Sequence, residues 1–332
     1  MRAKVVVVIV TFNGAKWVDR CFSSLRLSTI PLETIVIDNG STDDTLSRIE
    51  TGYPETRIVR TGLNLGFGKA NNLGMEMGYQ EGAEYFFLLN QDAWIKPDAL
   101  EKLVEGHQKY PAYGVLSPIH LNGAGDELEY GFSNFVAPNK CLGLYSDIYF
   151  RKVKDVYDAP FVNAAAWMVT RACLEKVGGF SPSFFHYGED DNYTDRLQYH
   201  GVKLGVLPAA SICHDRERAR SPKFFKAGET FRRELIQRSS NPNEQVSSAR
   251  EWLAVLAHLV FALLRRNGAE IKLQAAKLKL LAAIDWKSIA ANVERSKRAD
   301  GAFLDLQKPN IDGGGATNLQ RPLGGVARDS TA

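Results

Sequence analysis

The sequence predicts an α/β protein built on a doubly wound, mostly parallel sheet and followed by a C-terminal helical extension. Three observations predict it. Residues 5–10 form an unbroken β-branched run, as expected of a central parallel strand covered on both faces. Strand and helix signals then alternate through the first 110 residues, the pattern of successive right-handed βαβ units. From Ser221 onward the chain reads as helical and basic.

The elements follow in order. Residues 15–27 place Trp17, Val18, Cys21, Phe22 and Leu25 on one helical side. Residues 34–37 give a second apolar strand ending at Asp38, and Ser41-Thr42-Asp43-Asp44 supplies a cap and acidic first turn for a helix over 45–50. Residues 57–60 predict a third short strand and 70–80 a helix. Residues 85–89 make the fourth strand, and 97–110 a helix with Pro97 in its first turn. After Tyr113 the period loosens. Residues 122–160, rich in Gly, Asn, Asp and aromatics, are expected to form loops and antiparallel strands that build a binding wall. Residues 164–170 return as a strand, 171–177 and 191–200 as helices, and 202–206 and 209–213 as two further strands, the last ending at His214. Residues 252–264 are almost wholly apolar, yet too few for the ~20 needed to span a bilayer. A packed helix is favoured there over an interfacial one. Residues 309–332, Gly-rich and poor in apolar groups, predict a disordered tail.

Composition sets the bounds. With 332 residues and 45% hydrophobic content the chain can bury a full core and carry an appendage. Its four cysteines form no CxxC pair, which disfavours a disulfide framework or zinc cluster and suits a reducing cytosol. The opening apolar run is too short for a signal segment or a membrane span. A net charge of +3 conceals an asymmetry: residues 1–215 carry 20 Lys+Arg against 26 Asp+Glu, and residues 216–308 carry 19 against 10. An acidic front suits metal-assisted chemistry. A basic rear suits an anionic surface or a solvated helical face.

In an open parallel sheet, ligands bind beyond the carboxyl ends of the strands. Those ends are polar here: Thr11-Phe12-Asn13-Gly14, Asp38-Asn39-Gly40-Ser41 and Asn90-Gln91-Asp92. Converging on one crevice, they could grip a nucleotide, with one carboxylate for ribose hydroxyls or a base N–H and another for a metal ion. Asp38 or Asp43 alone would read as a turn or cap residue; recurrence at successive strand ends favours a site. Gly66 to Asn71 forms either a phosphate-cradling loop or a turn that opens a helix. Downstream, Phe184-Phe185-His186-Tyr187-Gly188-Glu189-Asp190-Asp191 sets three acids behind an aromatic turn. Such a carboxylate can take the proton of an attacking hydroxyl, and repulsion from Glu189 and Asp191 would raise the pKa of Asp190. The structural alternative is a favourable acidic first helical turn.

Six segments together resemble family 2 glycosyltransferases, the inverting enzymes with the GT-A fold, and especially their bacterial rhamnosyltransferase-like branch. They are Val-Ile-Val-Thr-Phe-Asn (8–13), Ile-Val-Ile-Asp-Asn-Gly-Ser-Thr-Asp (35–43), Asn-Leu-Gly-Phe-Gly-Lys-Ala-Asn-Asn (64–72), Leu-Leu-Asn-Gln-Asp-Ala (88–93), Val-Gly-Gly-Phe (177–180) and Phe-Phe-His-Tyr-Gly-Glu-Asp (184–190). The likeness covers about residues 4–216. It implies that Thr11 and Asn13 line the nucleotide pocket and that Asp38 meets the base or ribose. Asn39, Ser41, Gly66, Asn71, Asn90 and Gln91 are assigned to the same donor site. Asp92 matches the last acid of the DxD-type motif, which holds Mg2+ or Mn2+ on the donor diphosphate; Asn90 stands where that motif has its first acid. Asp190 matches the catalytic base, and His214 a histidine that ligates the metal or touches the diphosphate. His186, Glu189 and Asp191 are assigned to the acceptor side, with aromatic-turn packing an equal reading for His186.

The resemblance implies a GT-A domain over 1–220, with a donor half (1–112) and an acceptor half (113–220), then a basic helical extension (221–308) and the tail. It implies inverting transfer of a sugar, rhamnose or another deoxyhexose, from a nucleoside diphosphate to a hydroxyl of a glycan or lipid-linked saccharide in bacterial surface polysaccharide synthesis. A cytoplasmic protein is expected, with 221–308 touching the inner face of the cell membrane and no nucleic-acid partner. Alternatives are an inactive glycan- or nucleotide-binding module of this fold and a sugar nucleotidyltransferase. A nicotinamide-dependent oxidoreductase is disfavoured, because no Gly-x-Gly-x-x-Gly follows the first strand.

Overall fold

The run at residues 5–10 is the centre of the molecule. In the computed structural model, which describes residues 3–216 and 227–307, β1 (Val5–Thr11) feeds two cores at once. Val6 and Val8 pack with Ile35, Ile37, Phe86 and Leu88 on one face. Val5, Val7 and Ile9 pack with Val36, Phe87 and Leu89 on the other. No polar alternation survives because neither face meets water. Burying each such side chain contributes about 1.5–3 kcal/mol.

Along the chain follow α1 (Val18–Arg26), β2 (Glu33–Asp38), α2 (Thr45–Gly52), β3 (Arg57–Arg60), α3 (Phe67–Gln80), β4 (Tyr85–Asn90), β5 (Ala93–Ile95), α4 (Ala99–Lys109) and β6 (Tyr113–Leu121). Next come α5 (Tyr130–Phe135), α6 (Leu144–Tyr149), β7 (Tyr157–Asp158), β8 (Ala166–Thr170), α7 (Arg171–Val177), α8 (Glu189–Tyr199) and β9 (Lys203–His214). The sheet order is β3-β2-β1-β4-β8-β6-β9-β5, with β7 beside β9. β3, β2, β1 and β4 run parallel, as do β6 and β9. β8 is antiparallel to both its neighbours, and β5 to β9. The sheet is therefore mixed but mostly parallel.

Some elements differ from expectation. The two strands predicted over 202–213 are one, β9, whose pairing with β6 jumps from Pro118↔Leu207 to Ile119↔Ser211. Pro208 has no N–H to give, so the ladder skips residues 208–210 and the strand bulges. Pro97 stands outside α4: Asp98 is the cap, and the Pro97 carbonyl accepts from the Thr29 N–H at 2.9 Å. The stretch 122–160 holds two short helices besides the antiparallel β7 and a Leu121–Leu128 bridge. α5 forms because the Glu129 carboxylate accepts the N–H groups of Gly131 and Phe132, a cap made by a residue that seldom caps.

α9 (Ala227–Ser239), α10 (Ser248–Leu264), α11 (Gly268–Ala282) and α12 (Trp286–Ser296) surround a small core of Leu235, Val255, Leu281, Ile284 and Ile289. Beyond α12 the chain returns to the sheet. Asn72 accepts from the Phe180 N–H (2.7 Å) and donates to the carbonyls of Phe180 (2.9 Å) and Phe303 (3.4 Å), while Leu304 joins the main core. No helix among the described residues is long and apolar enough to cross a membrane. The tail expected at 309–332 and the boundary at 220/221 lie outside the described residues.

Candidate active site

Sheet direction decides what meets at the crevice. β1, β2 and β4 deliver their carboxyl ends to one edge. β8 runs the other way, so its amino end arrives there, and the Asn90 N–H donates to the Ala165 carbonyl at 2.9 Å. β5 pairs with β9 so that Ala93 faces His214, which brings Asp92, one residue earlier, beside His214. A cavity of about 590 Å3 opens at this edge. Both Asp92 and Asp190 line it, with Asn39, Gly66, Asn90, Gln91, His186, Glu189 and His214.

Other expected residues stand behind the wall. Asp38 is 2% exposed; its carboxylate accepts from the Thr11 hydroxyl and the N–H groups of Gly40 and Ser41. Asn13 donates its N–H to the Ser41 hydroxyl and accepts from the Thr42 N–H. Asn71 is buried and donates to the Phe67 carbonyl inside α3. Asp191 turns towards α9, where Gln237 and Arg233 meet its carboxylate. None of Thr11, Asn13, Asp38, Ser41, Asn71 or Asp191 lines the cavity. Their hydrogen bonds shape the loops that do.

Two lining residues are themselves clasps. The Gln91 amide accepts the Phe12 N–H (3.0 Å) and donates to the Phe12 carbonyl (3.1 Å), fixing β1's exit against β4's. Asn39 accepts from the Leu65 N–H and donates to the Gly66 carbonyl. Gly66 sits at φ +79, and a Cβ there would stand 2.1 Å from the Phe185 carbonyl oxygen. Only glycine combines that backbone with so close an approach.

The acidic turn opens α8. Gly188 at φ +96 is its N-cap, and Glu189, Asp190 and Asp191 form its first turn, where free N–H groups favour anions. Burial still dominates. It pushes the Asp190 carboxyl above the usual range, and the charge of Asp191 adds to the rise. Glu189, 5% exposed, is pushed up by burial and then by Asp190 and Asp191; its Oε2 has no hydrogen-bond partner. These carboxyls titrate together.

Asp92 behaves oppositely. Burial would raise its carboxyl, but the hydrogen bond and charge of His214, with Arg216, hold it below the usual range. Its Oδ1 lies 3.3 Å from His214 Nε2. Two adjacent ligands of an octahedral ion at ~2.1 Å lie ~3 Å apart, so this pair could share one small divalent cation. Among the described residues no group of three or more His, Cys, Asp or Glu could hold a metal. The remaining ligands would have to be substrate oxygens and water.

Several lining residues went unassigned by sequence: Phe12, Asn64, Asn163, Phe185, Tyr187 and Arg216. Asn163 stands just before β8, and the reversal of that strand is what puts it at the ligand edge. Phe12 sits within a strand-end motif and is 45% exposed, a large apolar ring left facing solvent.

The model of glycosyl transferase family 2 matches residues 6–178. The chain is 27% identical over 230 residues to the N-acetylglucosaminyl-diphospho-decaprenol L-rhamnosyltransferase of Mycobacterium tuberculosis (strain ATCC 25618 / H37Rv), covering 63% of this chain and 75% of that protein. It is 22% identical over 215 residues to the dTDP-rhamnosyl transferase RfbF of Shigella flexneri, covering 64% and 70%. The structure of S. aureus TarS 1-349 in complex with UDP-GlcNAc superposes with a TM-score of 0.55 at 19% identity, covering 88% of this chain and 83% of that one. The protein belongs to glycosyltransferase family 2 and carries that family's GT-A fold on a mostly parallel sheet with a helical C-terminal region.

Proposed function

We propose that the protein transfers a sugar, rhamnose or another deoxyhexose, from a nucleoside diphosphate to a hydroxyl of a glycan or lipid-linked saccharide, with inversion, in bacterial surface polysaccharide synthesis. One observation carries the reading: Asp92 and Asp190 face the same cavity, so a group that steadies a diphosphate and a group that takes a proton share one substrate. The names of the mycobacterial and Shigella relatives support the choice of donor sugar and of a lipid-linked acceptor.

In this reading residues 1–112 hold the donor and 113–220 the acceptor. Phe12 and Asn39 border the nucleotide, and Asn90 hydrogen-bonds the ribose. Asp92 and His214 would hold Mg2+ or Mn2+, which would supply positive charge to the departing diphosphate. Across the cavity Asp190 takes the proton of the acceptor hydroxyl as its oxygen bonds to the anomeric carbon. The bond from that carbon to the diphosphate oxygen breaks, and the electron pair leaves with the diphosphate. Attack from the opposite face inverts the centre. The raised pKa of Asp190 makes it a stronger base than an exposed aspartate. Glu189 and His186 border the acceptor. The basic helices of 221–308 meet the inner face of the membrane where such an acceptor resides.

The test is nucleoside diphosphate release from a panel of sugar nucleotides, dTDP-rhamnose included, with Mg2+ or Mn2+ and a saccharide acceptor. Acceptor-dependent release with one donor is expected. No release with any donor would overturn the reading.

A further inference from the structure

Over residues 252–264 α10 is apolar but for His258, yet only one side of it is covered. Val255 and Ala262 are buried and Trp252 packs against the extension's core. At about 100° per residue these positions mark one side of the helix. The opposite side carries Leu253, Leu256, Val260, Phe261, Leu263 and Leu264, all exposed, with Leu253 at 65% and Leu264 at 78%. They span an arc of about 160°, and the one charged residue of the helix that falls within it, Arg250, lies in its first turn. A soluble helix normally turns polar groups to water on such an arc.

The charges that flank this face along the chain are mostly basic. Between Glu251 and Glu270 the chain has no acid. Arg250 stands before the apolar stretch, Arg265 and Arg266 after it, and Lys272 and Lys279 on α11; all are exposed. The guanidinium of Arg265 lies 4.0 Å from the centre of the Phe261 ring, at the border of the apolar arc. A helix of 17 residues is about 26 Å long, short of a ~30 Å hydrocarbon core, so it can lie in an interface but not cross it.

We infer that the outer face of α10 is a docking surface for an anionic lipid bilayer. The apolar arc enters the boundary between headgroups and acyl chains, and the arginines and lysines beside it meet lipid phosphates. A second copy of the chain fits less well. Face-to-face pairing of two α10 helices, parallel or antiparallel, sets arginines against arginines. The inference deepens the proposed function and rests on its lipid-linked acceptor, because docking brings the cleft to the surface that displays such a substrate.

The test is sedimentation of the full-length protein at low salt with phosphatidylcholine vesicles, with and without phosphatidylglycerol. Strong recovery with the anionic vesicles alone is expected, falling as salt is raised. Leu253→Ser/Leu264→Ser should weaken that binding at least about tenfold. Arg265→Gln and Arg266→Gln should each weaken it about fivefold. Both changes are at exposed positions, so the unfolding midpoint should not move. Equal recovery with and without vesicles overturns the inference, as does wild-type binding by the leucine variant. Dimerisation in sedimentation velocity that the leucine variant abolishes also overturns it, by naming a second copy as occupant. Diphosphate release with a water-soluble acceptor is measured in parallel. Release without vesicle binding defeats the docking surface and the membrane contact of 221–308 but leaves the transfer reaction standing, and vesicle binding without release from any donor defeats the transfer reaction alone.

Discussion

Replacing Asp190 by Asn separates charge from shape, since the amide matches the carboxylate in size and can still accept the Asp191 N–H, now at 3.0 Å. Two effects of opposite sign are expected. Burial and the charge of Asp191 hold the folded carboxyl above its ordinary value, so the ionised form opposes folding. That penalty is absent below the unfolded value of about 4 and grows as pH rises through the folded one. Each tenfold change in proton affinity corresponds to about 1.4 kcal/mol. Asp190→Asn should therefore raise the unfolding free energy at neutral pH by on the order of 1 kcal/mol and leave it unchanged near pH 4. Turnover should move the other way. Loss of a general base costs ~10²–10⁴-fold, or about 3–5 kcal/mol on the barrier. The assay pairs diphosphate release with urea unfolding at both pH values. Wild-type turnover should climb with pH through a value above the usual carboxylate range, a value belonging to the three-acid turn and not to one residue. A variant with wild-type turnover refutes the base role. A variant less stable at neutral pH refutes the electrostatic reasoning about the turn.

Asp92→Ala should raise the Mn2+ concentration needed for half-maximal turnover at least about tenfold; an unchanged titration would remove Asp92 from the metal. Asn72→Ala breaks three hydrogen bonds between α3, the 177–180 turn and the returning C-terminal segment, at an expected cost of about 2–4 kcal/mol in urea unfolding. A loss under about 0.5 kcal/mol would mean that water replaces those partners readily. Gly66→Ala places a Cβ against the Phe185 carbonyl at a backbone angle that alanine resists. It should cost about 1–3 kcal/mol and raise the donor KM; an unchanged KM would detach this loop from the donor site.

Much of the fold and half of the site were legible because their signals are local. A continuous apolar run, a polar strand end and an acidic first turn are each written within ten residues, and β1, β2, β4 and α8 were found from them. What could not be read depends on distance along the chain. Asp92 and His214 were paired through the resemblance alone, because they meet through the short pairing of β5 with β9, and three residues carry no readable period. Asn163 lines the crevice because β8 is reversed, and a strand's direction is not in its composition. Asn72 meets Phe303 across 231 positions. The six-residue helices α5 and α6 complete fewer than two turns, too few to show a face. Asp38 illustrates the opposite case. Its polarity at a strand end is real, but the turn that follows consumes its carboxylate.

The shared cleft is tested most directly by a crystal structure of the protein with a nucleoside diphosphate and Mn2+, the ion placed by its anomalous scattering. The predicted result is one manganese between Asp92 and the phosphates, with the Asp190 carboxylate across an open gap wide enough for a sugar. A diphosphate and ion seated outside this cavity, or Asp190 walled off from them, would contradict it.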